Sequence, residues 1–360
     1  MPKKTLMCLS IALLTLVVWV YYNASLEHNT ASLVPVNNNI NTNYYIFNTI
    51  LQPKNIICSE STLFIILVTS YIGHVELRSA HRQTISADDL QNFNITRVFL
   101  LGRIPQNEKY ISQEAVMDES NTFDDILQGD FYENYRNLTH KHLMGLNWAA
   151  THCSKTPFIL KVDDDTVFNI DTTYKYISQL PRTDNQLLIG YILNNTKPRR
   201  SKQNKWYVTY EEYSRQTYPP YLSGWYYIMH TSLAARICAE AKHQNYFWID
   251  DILVTGIITE SLKVKLKQLP ENYWLEYYEL LECCLKDMIT KFIKCDYTVG
   301  PNGGRNNLIN EFNKAYKLCD KWQNCTTRPA DLNLKKVCIL NRDRAIFSDG
   351  KAAEINGVKL

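Results

Sequence analysis

Four short apolar runs recur along the middle of the chain, and they constrain its fold more than any other feature. They are Thr62–Thr69, Val98–Gly102, Phe158–Val162 and Leu187–Ile192. Each is continuously apolar, which is typical of strands that are buried on both faces of a sheet. Helical patterns separate them, around residues 74–83, at Phe123–Gly129 and at Leu138–Cys153. Strands that alternate with helices predict an α/β fold with a mainly parallel sheet.

The N-terminus predicts a membrane anchor. Lys3 and Lys4 precede an apolar run at residues 6–22, which as a helix would span roughly 26 Å, enough for a thin bilayer. The lysines favour a cytosolic tail at residues 1–5 and a lumenal remainder. A cleaved signal peptide is the alternative, and both interpretations export the chain. The Asn-rich residues 23–55 are then interpreted as a stem.

Sequons and cysteines agree with export. Asn-x-Ser/Thr sequons, which predict N-glycosylation, occur at Asn23, Asn94, Asn137, Asn194 and Asn324. Nine cysteines follow the apolar run, and five of them lie within residues 283–325. An oxidising lumen would pair most of the nine and leave one over. We therefore expect a catalytic domain at residues 56–270 and a Cys-containing C-terminal lobe at residues 271–360.

The overall composition excludes two classes of protein. Hydrophobic residues make up 45% of the chain and charged residues 21%, so the chain is not wholly disordered. The net charge is only +3, which gives no polybasic signal, so nucleic acid is not an expected partner.

An acidic triplet follows the third apolar run directly, at Asp163, Asp164 and Asp165. Ligands of α/β sheets bind beyond the carboxyl ends of the strands. Three adjacent carboxylates repel one another, and a bound divalent cation would relieve that repulsion. Asp163 and Asp165 point to the same side, and their hard oxygens select Mg²⁺ or Mn²⁺. The position therefore predicts a metal site rather than a solvated turn.

A second acidic pair, Asp250 and Asp251, lies between aromatic residues and the apolar residues 252–258. An aspartate at this place is either a helix cap or a functional carboxylate. For Asp250 both interpretations stay open, and for Asp251 we favour a function.

The order of these motifs resembles the β-1,3-glycosyltransferases of glycosyltransferase family 31. The similar blocks are collinear over about residues 60–260: RSAHRQT at 78–84, DDIL at 124–127 with YRNLT at 135–139, KVDDDTVF at 161–168, YPPYLSGWYY at 218–227 and DDILVTG at 250–256. Two departures are visible. The chain has no histidine after His243, where such enzymes often supply a metal ligand, and bulky aromatics follow Gly224 in a block that is usually glycine-rich.

The resemblance implies a GT-A-type, Rossmann-like domain that transfers a sugar from a UDP-sugar with inversion. Asp165, helped by Asp163, would hold Mn²⁺ or Mg²⁺, and Asp164 would contact the ribose. Asp251 would be the general base. Other donor-site residues would be Arg78, Arg82 and Gly224. The expected donor is UDP-galactose, with UDP-N-acetylglucosamine or UDP-N-acetylgalactosamine next, and the acceptor is a glycan on a glycoprotein or glycolipid.

Aromatic side chains stack on sugar rings, so Trp225 and Trp248 are candidate acceptor-binding residues, although core packing is the alternative for each. Together these features predict a single-pass type II Golgi membrane protein with a lumenal β-1,3-glycosyltransferase. Two other functions stay open. One is a sugar-binding pseudoenzyme of the same fold. The other is a phosphohydrolase of the haloacid dehalogenase type, whose D-x-D-x-[TV] motif Asp163–Val167 resembles.

Overall fold

The computed structural model describes residues 48–338, apart from residues 57, 272, 276 and 322–324. The predicted cytosolic tail, the apolar run at residues 6–22 and most of the predicted stem lie outside the described residues. None of the helices described in residues 48–338 combines the length and the apolar character needed to cross a bilayer.

The described strands are β1 Thr49–Leu51, β2 Phe64–Thr69, β3 Ile95–Arg103, β4 Ile126–Tyr132, β5 Phe158–Asp163, β6 Thr166–Phe168, β7 Leu188–Leu193, β8 Tyr221–His230, β9 Lys267–Gln268 and β10 Val299–Pro301. One sheet has the order β1-β4-β3-β2-β5-β8-β7-β9, and β10 pairs separately with β6. Strands β4, β3, β2 and β5 run parallel side by side. Strand β8 is antiparallel to both of its neighbours, β5 and β7. The predicted α/β fold with a mainly parallel sheet is therefore confirmed for the central strands.

The described helices are α1 Val75–Thr84, α2 Ala87–Asn92, α3 Gln113–Phe123, α4 Leu138–His152, α5 Ile170–Ser178, α6 Thr231–Ala241, α7 Ile258–Ser261, α8 Tyr278–Lys291, α9 Leu308–Lys321 and α10 Leu334–Val337. A π-helical segment, Ile252–Ile257, precedes α7, and 3-10 turns lie at Tyr135–Asn137 and Ala330–Leu332. The predicted helices at residues 74–83 and 138–153 are confirmed to within a residue.

Strand β2 lies in the middle of the sheet, and its side chains contribute to two hydrophobic cores, one on each face. Ile65 and Leu67 belong to a core that is completed by apolar residues of α4 and α6. Phe64, Ile66 and Val68 belong to a second core, on the other face, with residues of α5. Successive side chains of a strand point to opposite faces, so a strand covered on both sides must be apolar throughout, as this one is.

The predicted helix at residues 123–129 is wrong, because strand β4 occupies most of that range. Phe123 ends α3, and Asp124 follows with φ 49°, a left-handed conformation that terminates helices. Ile126 and Leu127 are then fully buried beside β3. Periodicity alone does not separate a buried strand from a buried helix when the apolar run is short.

The folded part of the chain begins within the predicted stem at residues 23–55. Strand β1 pairs antiparallel with β4. The carboxylate of Asp124 accepts hydrogen bonds from the backbone N–H groups of Lys54, at 2.8 Å, and Asn55, at 2.7 Å. Strand β1 therefore belongs to the sheet, and residues 54 and 55 are held to the folded domain rather than forming a stem.

The expected C-terminal lobe is not separate from the preceding domain. Strand β10 pairs with β6, and α9 packs on α1. The lobe carries three disulfides, Cys283–Cys338, Cys284–Cys295 and Cys319–Cys325, while Cys58–Cys153 links the start of the sheet to the end of α4. Cys238 is the buried free cysteine of the described region. The expectation that most cysteines pair and one is left over is confirmed there.

Removing the Cys58–Cys153 disulfide with Cys58→Ala and Cys153→Ala should lower the free energy of unfolding strongly. The bond joins residues 95 apart in sequence, and constraining so long a loop in the unfolded chain is worth about 5 kcal/mol. The matched control is Cys319→Ala with Cys325→Ala, across a separation of 6, for which the same relation gives about 2 kcal/mol. Denaturant unfolding measures both, and equal losses would contradict the loop-length argument.

Candidate active site

A cleft of about 1170 Å³ opens beyond the carboxyl ends of β2 and β5. This is the edge at which open α/β sheets bind ligands. Most of the site residues predicted from the sequence line it: Asp163, Asp164, Asp165, Gly224, Trp225, Trp248 and Asp251. Two acidic groups that are far apart in sequence therefore share one cavity.

Lys161 lies at the floor of this cleft and is 2% exposed. Its ammonium donates hydrogen bonds to Asp163 Oδ1, at 2.5 Å, and to the carbonyl oxygen of Gly224. Burial alone would lower the pKa of Lys161, but the carboxylates of Asp163, Asp250 and Asp251 outweigh burial and raise it. Lys161 is therefore a buried cation that ties the end of β5 to β8.

Asp164 is fixed to the end of the neighbouring strand β2. Its Oδ2 accepts a hydrogen bond from the Ser70 hydroxyl, at 2.7 Å, and lies 2.9 Å from His74 Nδ1. The ring of His81 donates to the backbone carbonyl of Asp164, at 2.8 Å. Burial alone would raise the pKa of Asp164, but the bonds to His74 and Ser70 hold it below its usual value. Its carboxylate is therefore ionised and oriented.

Asp165 lines the cleft. Desolvation by the surrounding protein, together with the negative charges of Asp163 and Asp164, raises the pKa of Asp165 to about 7. Among the described residues, no three His, Cys, Asp or Glu side chains converge as a ready-made set of metal ligands. Mg²⁺-type sites that act on phosphates are usually held by only one or two carboxylates, and substrate oxygens and water complete them. The donor set of Asp163 and Asp165 fits that kind of site.

Asp250 and Asp251 form a second part of the wall of this cleft, where the π-helical segment begins. Asp251 Oδ1 accepts a hydrogen bond from the Ile252 N–H, at 2.8 Å. Burial and the charge of Asp250 raise the pKa of Asp251 to about 7. Burial alone would also raise the pKa of Asp250, but the hydrogen bond between Asp250 and His142, at 2.8 Å, keeps this pKa below its usual value. Near neutral pH the pair therefore contains one ionised carboxylate and one that readily accepts a proton.

Gly224 is packed against Asp251. A Cβ at residue 224 would lie 3.1 Å from Asp251 Cβ and 3.5 Å from Asp251 Oδ2. Because the approach to Asp251 Cβ is tighter than most side-chain contacts, any larger residue would push on the Asp251 side chain. The resemblance implies a donor-binding role for Gly224, and the structure adds that the missing side chain leaves room for Asp251.

The two tryptophans predicted for the acceptor site differ in exposure. Trp225 is partly buried and packs on Trp274, with ring centroids 3.9 Å apart, and Trp274 stacks on Tyr191. Trp248 is only 4% exposed, and the Arg136 guanidinium lies 4.7 Å from its ring centroid. Both line the cleft, so their role in binding an acceptor stays a prediction.

The arginines predicted for the donor site are engaged elsewhere. Arg78 is fully buried and donates to Glu119 through Nε and Nη2, and to the carbonyl oxygens of Tyr71 and Ile72. Arg82 donates to Glu119 and, with two hydrogen bonds, to Asp125. Neither belongs to the described lining of the cleft. The structure thus assigns both arginines to holding α1 against α3 and the start of β4.

The predicted glycosylation sites fall in different settings. Asn94 is exposed, and Asn194 is exposed at the wall of the cleft. Asn137 is partly buried, its amide donates to the Tyr132 carbonyl at 2.9 Å, and the Thr139 of its sequon is buried. Asn23 and Asn324 lie outside the described residues.

Sequence reasoning gave no role to several polar residues that the structure brings to the site, namely Lys161, His74, His142 and Tyr227. The available signal was a polar residue inside an apolar element, as with Lys161 in FILKV. A buried charge needs a partner, but the sequence does not say which one.

Comparison with known proteins decides the family. Residues 76–270 match the family described as Galactosyltransferase. The chain belongs to this family. It is 32% identical over 257 residues to β-1,3-galactosyltransferase 2 of Homo sapiens, covering 69% of this chain and 59% of that protein. It is 31% identical over 237 residues to β-1,3-galactosyltransferase 1 of Mus musculus, covering 65% of this chain and 71% of that protein. The chain thus spans about 59% of the length of the first relative.

Two solved structures are distantly similar. The bifunctional glycosyltransferase WbbM matches with a TM-score of 0.40 and 10% identity, over 71% of this chain and 50% of that one. The galactosyltransferase LgtC, in complex with donor and acceptor sugar analogues, matches with a TM-score of 0.36 and 10% identity, over 74% and 98%. Similarity this weak carries no argument. Family membership confirms the resemblance and leaves the phosphohydrolase alternative without support.

Replacing Arg78 with Met should destabilise the fold, because it removes a buried ion pair with Glu119 and the guanidinium hydrogen bonds to two carbonyl groups. Breaking a buried pair in this way costs about 3–5 kcal/mol. The matched control is Arg103→Met, which removes an exposed pair with Asp130 and should cost at most about 1 kcal/mol. Denaturant unfolding compares the two. Normal stability of Arg78→Met combined with lost binding of a UDP-sugar would restore the donor-site prediction.

Proposed function

We propose that this protein transfers galactose from UDP-galactose to a hydroxyl group of a glycan acceptor, forming a β-1,3 linkage. Family membership and the names of the two relatives support the reaction class. The observation that carries the proposal is the cleft itself, in which Asp251 faces the Asp163–Asp165 cluster. A base on one wall and a carboxylate cluster suited to a diphosphate-bound cation on the other are what a single displacement requires. The proposed domain is of the GT-A type.

In the proposed mechanism, Asp251 takes the proton of the acceptor hydroxyl as that oxygen attacks the anomeric carbon. The bond from this carbon to UDP breaks in the same step, so the configuration inverts and no covalent enzyme intermediate forms. A carboxylate with a pKa of about 7 is well matched to this role, since a large fraction is ionised near neutral pH and that form is strongly basic. Gly224 leaves space for this carboxylate, and Trp225 and Trp248 offer apolar faces to the acceptor sugar.

The donor would lie along the other wall. Asp164, held ionised by Ser70 and His74, would accept hydrogen bonds from the ribose hydroxyls. Asp165 and Asp163 would hold Mn²⁺ or Mg²⁺. When bound, such a cation neutralises charge on the departing diphosphate.

We also propose that the protein is a type II Golgi membrane protein, anchored by residues 6–22. The basic residues before this run, the sequons and the disulfides of the described region support an exported catalytic part.

The transferase activity is tested by UDP release from full-length protein purified in detergent. UDP-galactose, UDP-N-acetylglucosamine, UDP-N-acetylgalactosamine and UDP-glucose are each offered with Mn²⁺ or with EDTA, with and without simple glycosides. We expect Mn²⁺-dependent release from UDP-galactose, and a loss of at least about 100-fold in Asp251→Asn, since general base catalysis is worth 10²–10⁴-fold. Asp165→Asn should lose most of the Mn²⁺-dependent release, because it removes a proposed ligand of the cation. Asp118→Asn, an exposed carboxylate on α3, is the matched control.

Silence with every donor, in protein shown to be folded, would favour the pseudoenzyme. Release from another donor alone would change the sugar but keep the reaction class. Phosphate release from phosphate esters that requires Asp163 would instead revive the phosphohydrolase.

The rate should also depend on pH through Asp251. Because its pKa is about 7, protonation below pH 7 removes the base, and kcat/KM should fall about tenfold per pH unit on the acidic side. Above pH 7 the carboxylate is ionised and the rate should level off. Asp251→Asn should lose this acidic limb and leave a low, flat profile. An acidic limb that survives in the variant would assign the titration to another group.

Substituting Gly224→Ala should act through Asp251. The added methyl group would press on that side chain and displace the carboxylate, and we expect kcat to fall about tenfold, as misplacement of a catalytic group does. In an Asp251→Asn background the same substitution should have little further effect, because the displaced base is already gone. Additive losses in this double-mutant cycle would show that Gly224 serves another purpose.

A further inference from the structure

A buried chain of three polar side chains ends on the carboxylate next to the proposed base. Tyr227 of β8 is fully buried, and its hydroxyl is hydrogen-bonded to Nε2 of His142 on α4. His142 is 1% exposed, and its Nδ1 lies 2.8 Å from Asp250 Oδ2. The order of the chain is therefore Tyr227, His142, Asp250, and Asp251 follows directly.

The partners determine where the protons lie. Asp250 is held ionised and accepts, so His142 Nδ1 must carry a hydrogen and donate it. Burial lowers the pKa of His142 below its ordinary value, so the ring is neutral. Nε2 then carries a lone pair, and the Tyr227 hydroxyl donates to it. The chain thus fixes the Nδ1–H tautomer of a neutral imidazole.

We propose that His142 is a positioning residue that keeps Asp250 ionised, so that the proton shared by the two carboxylates goes to Asp251. This inference rests on the proposed function, because it concerns the base of that reaction. With His142 in place, Asp251 stands beside a full negative charge and is a strong proton acceptor. Without the donor, Asp250 takes the proton, and Asp251 beside a neutral neighbour becomes a weaker base.

Other titratable groups also surround the pair, and they do not replace His142. Lys161 and Asp163 face the pair from β5, Tyr227 and Tyr221 from β8, and Tyr135 from the 3-10 turn before α4. Lys161 is already bonded to Asp163 and to the Gly224 carbonyl. The hydrogen bond from His142 distinguishes Asp250 from Asp251, whose Oδ1 accepts from the Ile252 backbone.

The kinetic test compares His142→Leu with His142→Asn in the full-length protein. Leu removes the donor, whereas the Asn amide can occupy the place of Nδ1 and donate to Asp250. For His142→Leu we expect a plateau kcat about tenfold lower and an acidic limb of kcat/KM displaced by about one unit to lower pH. His142→Asn should restore most of both. Cys238→Ala is the packing control, since this buried thiol contacts the Leu143 carbonyl of the same helix, and it should leave the limb in place.

An unchanged limb in His142→Leu, or Asn behaving like Leu, would overturn the proposal and reduce His142 to a packing residue. A second measurement is independent of turnover. NMR of protein labelled with ¹⁵N-His and ¹³Cγ-Asp, recorded with EDTA, reports the tautomer of His142 and the titration of Asp251. We expect the Nδ1–H tautomer, and an Asp251 midpoint that falls in His142→Leu and returns in His142→Asn. The Nε2–H tautomer, or a midpoint that does not move, would overturn the proposal.

The two measurements separate the two ideas. If the wild type transfers no sugar while the Asp251 midpoint responds to His142 as described, the transferase fails and the proton placement stands. If the wild type is active and the titration midpoint of Asp251 is unchanged in the His142 variants, the transferase proposal stands and the positioning role of His142 fails.

Discussion

The buried ammonium of Lys161 joins the two walls of the cleft, and the arrangement of the other groups depends on it. It lies between Asp163 and the Gly224 carbonyl, with Asp250 and Asp251 near enough to raise its pKa. Without this cation the end of β5 and the start of the π-helical segment would bring like charges together in a poorly solvated cleft, at a cost that grows as the local dielectric falls. The sheet can therefore present carboxylates from both sides of one cavity.

The antiparallel pairing of β8 with β5 is what brings the second acidic pair to the first. Val162 lies opposite Tyr226 in this register, so Gly224 comes beside the end of β5. Its missing side chain admits Asp251. Helix α4 then supplies His142 from the face of the sheet that α4 and α6 cover. A one-residue slip of β8 would turn Tyr227 away from His142, so the register of one strand pair positions both the proposed base and the residue proposed to support it.

Sequence reasoning succeeded where one element alone determines the answer. The continuous apolar runs of β2 and β5 predict buried central strands, and acidic residues directly after β5 must lie at its carboxyl end. It failed where the structure or role of a residue depends on a contact with a part of the chain that is distant in sequence. The sequence around Ile126 and Leu127 is compatible with a helix or a strand, and the pairing with β3 makes it a strand. The sequence predicts that Arg78 binds the donor, but in the structure Arg78 forms an ion pair with Glu119 of α3. Strand β8 carries the motif that was recognised, but nothing local shows that it runs antiparallel to β5.

Asp164 and Asp251 differ in how the charge around them is balanced, and this difference fits the roles proposed for them. On the proposed donor side, Lys141 is paired with Glu133 at 2.7 Å and donates to the Ser70 carbonyl at 2.6 Å, and Ser70 in turn bonds Asp164. Lys141 and Glu133 neutralise each other, and Asp164 is hydrogen-bonded to Ser70 and His74, which lowers the pKa of Asp164. Around Asp251, Lys161 is shared among several carboxylates, and burial together with the negative charge of Asp250 raises the pKa of Asp251. Asp164 is ionised and ordered because its charge is compensated, whereas incomplete compensation leaves Asp251, the proposed base, with a pKa of about 7.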